Sequence, residues 1–203
     1  MKINRNLERL TLSNTKLNDL SFNHLLDNLP SKLKKLDISR NPLLTIKSYR
    51  ALFKHFKQIR TRLTHLNLED NKIGDEICKE LCEMVLEVLW IQVLNLSKCN
   101  ITDVGALHIA EILDTPGLNL RTLLLHWNLI KGKGSIAIAK VMKRNTTLQI
   151  LDASFNAFGS GQLRQKKNIP RKGSLSARKR SLSKTPRGGD TAREEEDKYE
   201  QFT

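Results

Sequence analysis

Leucine or isoleucine recurs along the chain with one asymmetric spacing. It is plainest in LTHLNLEDNKI, Leu63 to Ile73, where these residues hold the first, fourth, sixth and eleventh places and Asn71 holds the ninth. The same template starts at Leu7, Leu33, Leu63, Ile91, Leu120 and Leu148, in steps of 26, 30, 28, 29 and 28 residues. Six copies at a near-constant period define a repeat protein, in which each unit buries its apolar face only against its neighbours.

Within each copy, places three to five predict a short strand. Alternation along an extended chain turns places four and six inward and places three, five and seven outward. The ninth place turns the chain away from the sheet, where an asparagine amide satisfies backbone groups that burial would otherwise strand. Asn41, Asn71, Asn128 and Asn156 fill it. Thr15 and Cys99 depart from it, which predicts bent turns in those copies and not lost repeats.

Between the strands, apolar residues return at helical spacing. A first helix is expected over 18–29, with Leu20, Phe22, Leu25, Leu26 and Leu29, ended by Pro30. A second, over 45–57, sets Tyr49, Leu52, Phe53 and Phe56 against a basic face of Lys47, Arg50, Lys54 and Lys57, which reads as a solvated exterior and not as a nucleic-acid stripe. The third, 75–88, opens on Asp75 and Glu76 at its positive end and packs Ile77, Leu81, Val85 and Val88. The fourth follows Thr102 or Asp103 with Val104, Leu107, Ala110 and Leu113, and Pro116-Gly117 stops it. The fifth, 134–143, uses Ile136, Ala139 and Val141, and small residues at such places let the helix layer approach the strands. No helix follows the sixth strand.

This arrangement resembles the leucine-rich repeat family over roughly residues 7 to 159, and its 28-to-29-residue period resembles the ribonuclease-inhibitor-like branch. The resemblance implies an α/β solenoid of about six repeats, with parallel strands on the concave face and helices on the convex face. For function it implies binding in general. Family members include ribonuclease inhibitors, GTPase-activating proteins, actin-filament cappers, innate immune sensors and ciliary scaffolds, so it names no partner.

Composition adds a second region. The 203 residues carry a formal charge of +14, of which 12 basic and 6 acidic residues lie from Ser160 onward. The expected division is a repeat domain over 1–160 and a basic tail over 161–203. From Arg164 to Arg187 there are ten basic residues and no acidic one, interleaved with Ser, Gly and Pro, before EEED at 194–197. Such a segment buries too little apolar area to offset the entropy of ordering, which predicts disorder. Lys166-Lys167, ten residues, and then Arg178-Lys179-Arg180 resemble a bipartite import signal that an importin would read. Ser174, Ser181, Ser183 and Thr185 are candidate phosphoacceptors. Each phosphate would remove roughly 1.5 to 2 units of positive charge and switch attachment to an acidic partner such as a microtubule surface, a membrane or nucleic acid.

The opening MKINRNLERL has no apolar signal-like run, and VLEVLWIQVL is interrupted by Glu87 and Gln92, so no transmembrane segment is expected. Cys78, Cys82 and Cys99 are an odd set without paired-cysteine caps, which fits a reducing compartment. The expected location is the cytoplasm, including cytoskeleton or cilium, with the nucleus as the alternative.

The outward places of the last two copies stand out. Leu124, His126, Trp127 and Phe155 put apolar and aromatic groups where the other copies carry small polar ones, and Trp is enriched at binding hot spots. These four, with Asp152, Glu69 and Asp70, form the candidate protein-binding face. The competing account folds Trp127 and Phe155 over their turns, or packs Phe155 on the tail. Asp37, Glu69, Asp70 and Asp152 alternate with Lys34, Lys35, Arg40 and Lys98, and such a mixture suits a protein better than a phosphate backbone.

Catalytic chemistry is not legible. The five histidines fall mainly on different repeats and read as solvated surface residues; His65 and His126 lie two strands apart, roughly 10 Å, too far for a relay. Cys78 and Cys82 lack further zinc ligands and read as core thiols. KGKGS, from Lys131 to Ser135, is an incomplete phosphate-loop pattern in an ordinary turn. No catalytic residue, metal or cofactor is expected. The functional expectation is a non-enzymatic scaffold or adaptor, monomeric or in a hetero-complex, that binds a protein on its concave face. The alternative is a nuclear or nucleic-acid-associated adaptor working through the tail. A GTPase activator is the weaker one, needing a catalytic arginine for which Arg40 is outward but not singled out.

Overall fold

The computed structural model describes residues 6–59 and 62–159. Strands β1 Arg9–Thr11, β2 Lys35–Asp37, β3 His65–Asn67, β4 Val93–Asn95, β5 Thr122–Leu124 and β6 Ile150–Asp152 occupy the third to fifth places of the six copies. Helices α1 Asp19–Leu26, α2 Ile46–Ile59, α3 Gly74–Val88, α4 Asp103–Leu113 and α5 Gly132–Met142 lie between them. The strands form one parallel sheet in chain order, and equivalent places pair: Leu10 with Leu36, Leu36 with Leu66, Leu66 with Leu94, Leu94 with Leu123, Leu123 with Leu151. Parallel neighbours need a crossover, and the five helices supply it.

The core runs between the two layers. Leu36, Leu66, Leu94 and Leu123 from the fourth place, with Ile38, Leu68, Leu96 and Leu125 from the sixth, meet Phe22, Leu52, Phe56, Ile77, Leu81, Ile109 and Ile138 from the helices. α2 and α3 bury the faces their periodicity predicts. α1, α4 and α5 require correction. Leu20, Val104 and Leu107 are exposed, whereas α4 buries Gly105, Ala106, Ile109 and Ala110 and α5 buries Gly134 and Ile138 in place of Ala139. The reason is the closeness of the seam. A Cβ added to Gly134 would stand 2.8 Å from the Ala106 Cβ of α4, and one on Gly105 would stand 2.7 Å from the Asp75 Oδ1 of α3. A helix packed this tightly must turn its smallest residues to its neighbour, which sends Val104 and Leu107 outward.

The asparagines of the ninth place form a ladder that links successive copies. The Asn41 Oδ1 accepts from the backbone N–H groups of Thr15 and Leu17 one copy earlier, and its amide donates to the carbonyls of Leu12 and Ile38. Asn128 repeats the arrangement with the N–H groups of Cys99 and Ile101 and the carbonyls of Leu96 and Leu125. At Cys99 the thiol donates to the Leu68 carbonyl but offers no oxygen to the copy before, so Ile73 N–H turns to the Asn71 carbonyl instead. The two departing copies are bent in the same way: the residue after Thr15 and the residue after Cys99, Lys16 and Asn100, both take positive φ, while their strands keep register.

Acidic residues tie the helix layer together. The Asp19 carboxylate, in the first turn of α1, accepts from the Thr45 N–H and from the hydroxyls of Thr45 and Ser48 at the start of α2. Asp75 of α3 does the same for Thr102 and Gly105 at α4, and Asp103 of α4 for Lys131 and Gly134 at α5. Each carboxylate therefore satisfies orphan donors of the next helix, not only the dipole of its own. α2 has no acidic residue in its first turn, and α3 starts without a side-chain cap.

Among the described residues, one of three buried side-chain atoms without a hydrogen-bond partner belongs to a core tyrosine. The Tyr49 hydroxyl is fully enclosed, has no hydrogen-bond partner among the described residues, and burial pushes its pKa up. Tyr49→Phe removes a desolvated hydroxyl at no cost in packing. Urea unfolding is expected to show unchanged stability or a gain of up to about 1 kcal/mol. A loss above that would mean the hydroxyl is satisfied in solution.

Candidate protein-binding surface on the strand face

The outward places divide into a row that the protein covers itself and a row that it presents. At the fifth place, Asp37, Asn67, Asn95 and Asp152 each accept the backbone N–H two residues on, from Ser39, Glu69, Ser97 and Ser154. These are local turns made by short polar side chains, and they recur because the template recurs. Leu124 takes this place in the fifth copy without such a bond and is half-buried.

Exposure at the seventh place, expected from strand alternation, is corrected in the four inner copies. Ser39, Glu69, Ser97 and His126 are buried, and so are Asn67 and Asn95 beside them. In-register parallel strands set equivalent side chains side by side at roughly 4.8 Å, so each shields the next. Two members of the candidate face, Glu69 and His126, are thus inside this polar layer. Asp152 is half-buried, and one of its oxygens accepts both the N–H and the hydroxyl of Ser154.

The structure also brings His126 to a nucleophile that sequence spacing does not place near it. Its Nδ1 lies 2.8 Å from the Ser97 Oγ and 3.6 Å from the Asp152 Oδ2. A hydrolytic relay needs serine and carboxylate on opposite ring nitrogens. Here both approach the same nitrogen and Ser97 is fully buried, so the trio is a polar link across β4, β5 and β6.

The presented row is the eighth place. Asn14, Arg40, Asp70, Lys98, Trp127 and Phe155 all adopt left-handed backbone, with φ between 53° and 57°. Asparagine and aspartate tolerate this region, whereas a bulky aromatic there is strained. Trp127 and Phe155 nevertheless hold it, 46% and 59% exposed, with their rings stacked face to face at 4.3 Å between centroids and 5° between planes. The two aromatic groups form one flat double ring, and Leu129, two residues beyond Trp127, is also exposed. Asp70 lies further along the same row and is exposed.

A second exposed tryptophan was hidden in the apolar run before the fourth strand. Trp90 is 46% exposed, its ring lies 5.3 Å from the guanidinium of Arg62, and Leu86 and Leu89 are exposed nearby. It sits at the opposite, N-terminal end of the strands. Its adjacency to Ile91, the first place of a copy, was the available signal.

Other groups are accounted for within the fold. On the helix side, Arg50 bonds Glu76 and Glu80 of α3, and Lys57 bonds Glu87, so two of the four basic residues on that face of α2 are matched by acidic partners. Cys78, Cys82 and Cys99 are buried thiols. Cys82 is pushed up by its hydrogen bond with Cys78 and by burial, and Cys99 is pushed up by burial. No cluster of metal-ligating side chains occurs among the described residues, and none of their helices is long and apolar enough to cross a membrane. Gly132 and Gly134 of the phosphate-loop-like stretch are buried in the first turn of α5. Lys166, Lys167, Arg178, Lys179 and Arg180, together with Ser174, Ser181, Ser183 and Thr185, lie outside the described residues.

Two histidines that read as solvated are partly enclosed. Burial lowers the pKa of His55 against the smaller opposing effect of Asp27, and burial, Lys35 and Arg9 lower that of His65. A folded-state pKa below the ordinary 6.5 means the unfolded chain binds protons first as pH falls. Stability is therefore expected to decline as pH falls below about 6.5, and again at acid pH where Asp19, held low by the hydroxyls of Ser48 and Thr45, protonates. Urea unfolding at pH 7.5 and 5.5 checks the first decline, which a His55→Gln, His65→Gln variant should flatten.

The family model described as Leucine Rich repeat matches residues 61–82 and 89–110, the third and fourth copies. NACHT, LRR and PYD domains-containing protein 12 of Mus musculus is 31% identical over 129 residues, covering 64% of this chain and 12% of that protein. Ribonuclease inhibitor of Sus scrofa is 28% identical over 131 residues, covering 50% of this chain and 29% of that protein. The matched region thus spans less than a third of the length of these relatives. A solved structure, Leiomodin-1 Actin-Binding Site 2, superposes with a TM-score of 0.46 at 22% identity, over 74% of this chain and 72% of that one. With six in-register strand-turn-helix copies and these sequence matches, the chain belongs to the leucine-rich repeat proteins, in their ribonuclease-inhibitor-like form.

Proposed function

We propose that this chain is a non-enzymatic interaction module that holds a protein partner against the Trp127–Phe155 stack. Leucine-rich repeat proteins generally mediate protein–protein interaction. The observation that carries the reading further is the aromatic pair itself: two large rings kept half-exposed on backbone that favours Asn or Asp. Strain retained without any gain in burial points to use by something outside the chain. A flat double ring gives a partner rigid apolar area at low entropic cost, and Asp70 and Lys98 further along the row give it polar register. The Sus scrofa relative is by name an inhibitor of a ribonuclease, which supports a protein as the kind of partner.

Salt separates this from attachment to nucleic acid through the tail. Binding to a phosphate backbone weakens steeply with ionic strength, whereas an aromatic anchor is far less sensitive. Affinity capture at low and moderate salt, with intact chain and a Trp127→Ala, Leu124→Glu variant, is expected to retain a discrete protein at both salts only with the intact chain. Retention by the variant, or loss with salt alone, overturns the proposal.

A further inference from the structure

The polar layer beneath the eighth-place row holds one group that the fold leaves incomplete. Glu69 has a side chain only 5% exposed, and its Oε2 accepts from the Asn95 amide at 3.1 Å. Its Oε1 is shut off from solvent and has no hydrogen-bond donor among the described residues. The flanking serine hydroxyls are engaged elsewhere, Ser39 with Ser13 and Ser97 with His126. The nearest cation is Arg40, whose guanidinium stops 3.7 Å short and is 53% exposed. A buried carboxylate with one neutral donor and a loose ion pair is poorly compensated, because burying charge is costly unless it is both paired and hydrogen-bonded.

We infer that Glu69 is the receiving group of a guanidinium slot, filled by an arginine of the partner and loosely covered by Arg40 until the partner binds. This rests on the reading that a protein lies along this face. The incoming guanidinium bonds the free Oε1, and Arg40, being mostly solvated, swings aside at little cost. A guanidinium fits better than an ammonium because its planar fork supplies two parallel donors to one carboxylate. The slot also defines the partner's sequence. Glu69 follows β3 and Trp127 follows β5, two strand steps or roughly 10 Å apart. An extended segment crossing the strands covers that distance in about three residues, so the partner's arginine stands about three residues from the apolar residue that meets the aromatic stack.

The probe is N-acetyl-arginine amide, with N-acetyl-citrulline amide as its neutral isostere, followed by NMR on the side-chain amide of Asn95, which bonds Glu69 directly. The expected result is a saturable shift with the arginine compound and none with citrulline. Glu69→Gln, which keeps the shape, should abolish it. Arg40→Ala should tighten it about fivefold or more, since an internal occupant lowers apparent affinity by the fraction of time the slot is closed. Equal response to citrulline, persistence in Glu69→Gln, or unchanged affinity in Arg40→Ala overturns the inference. Trp127→Asn should leave the titration unaltered, so failure of the slot and failure of the aromatic anchor show up separately.

Discussion

Asn128→Ala should cost about 3 to 5 kcal/mol in urea unfolding, the largest loss expected from any single truncation on the strand side. The estimate follows from what the amide serves. Its oxygen receives the N–H groups of Cys99 and Ile101, both in fully buried residues, and its NH2 supplies the carbonyls of Leu96 and Leu125. The Leu125 carbonyl keeps a second donor in Asn156. The two N–H groups and the Leu96 carbonyl would lose their side-chain partner within fully buried residues, and each orphaned buried group costs about 1 to 3 kcal/mol. Thr15→Ala, at the exposed end of the same ladder, should cost under about 1 kcal/mol, because its hydroxyl bonds only the Leu12 carbonyl and, weakly, Asn41. Similar losses at both positions would mean that the ladder is not what holds the turns.

Trp127→Asn should leave stability within about 1 kcal/mol of the parent while weakening the partner about 30-fold or more. Two opposing effects set the first number. The substitution forfeits a stacked aromatic contact worth about 0.5 to 1.5 kcal/mol, and it relieves a bulky residue in left-handed backbone by a comparable amount. The second number is the ordinary cost of removing a hot-spot aromatic, about 2 kcal/mol or more. Phe155→Asn should behave alike, and because the rings lie 4.3 Å apart the double variant should lose less affinity than the sum of the two. A Trp127→Asn chain that is much less stable would show instead that the ring folds over its turn for structural reasons.

The framework was legible because every strand falls where the template puts it, and the ninth-place amides act as their chemistry suggests. Other features depend on neighbours that a single copy does not contain. The seventh-place residues alternate outward, yet Glu69 and His126 are buried because equivalent side chains crowd together across parallel strands. Asp75 reads as complementing its own helix, while its carboxylate bonds Thr102, the cap of the next one; an acidic residue 27 positions before a capping threonine was the sign. The positive φ of the eighth place is invisible when Arg40 or Lys98 fills it. The stacking of Trp127 on Phe155 follows from that shared conformation in adjacent copies. Val104 and Leu107 were set on the wrong face because apolar spacing does not reveal which seam demands glycine.

The most direct test of the central claim compares partners captured at moderate salt by the parent chain and by Trp127→Asn, at concentrations where unfolding curves show both to be equally folded. Loss of a discrete protein from the variant, with the rest of the captured set unchanged, is the predicted result. An identical set from both chains would contradict the claim and move recognition away from the aromatic stack.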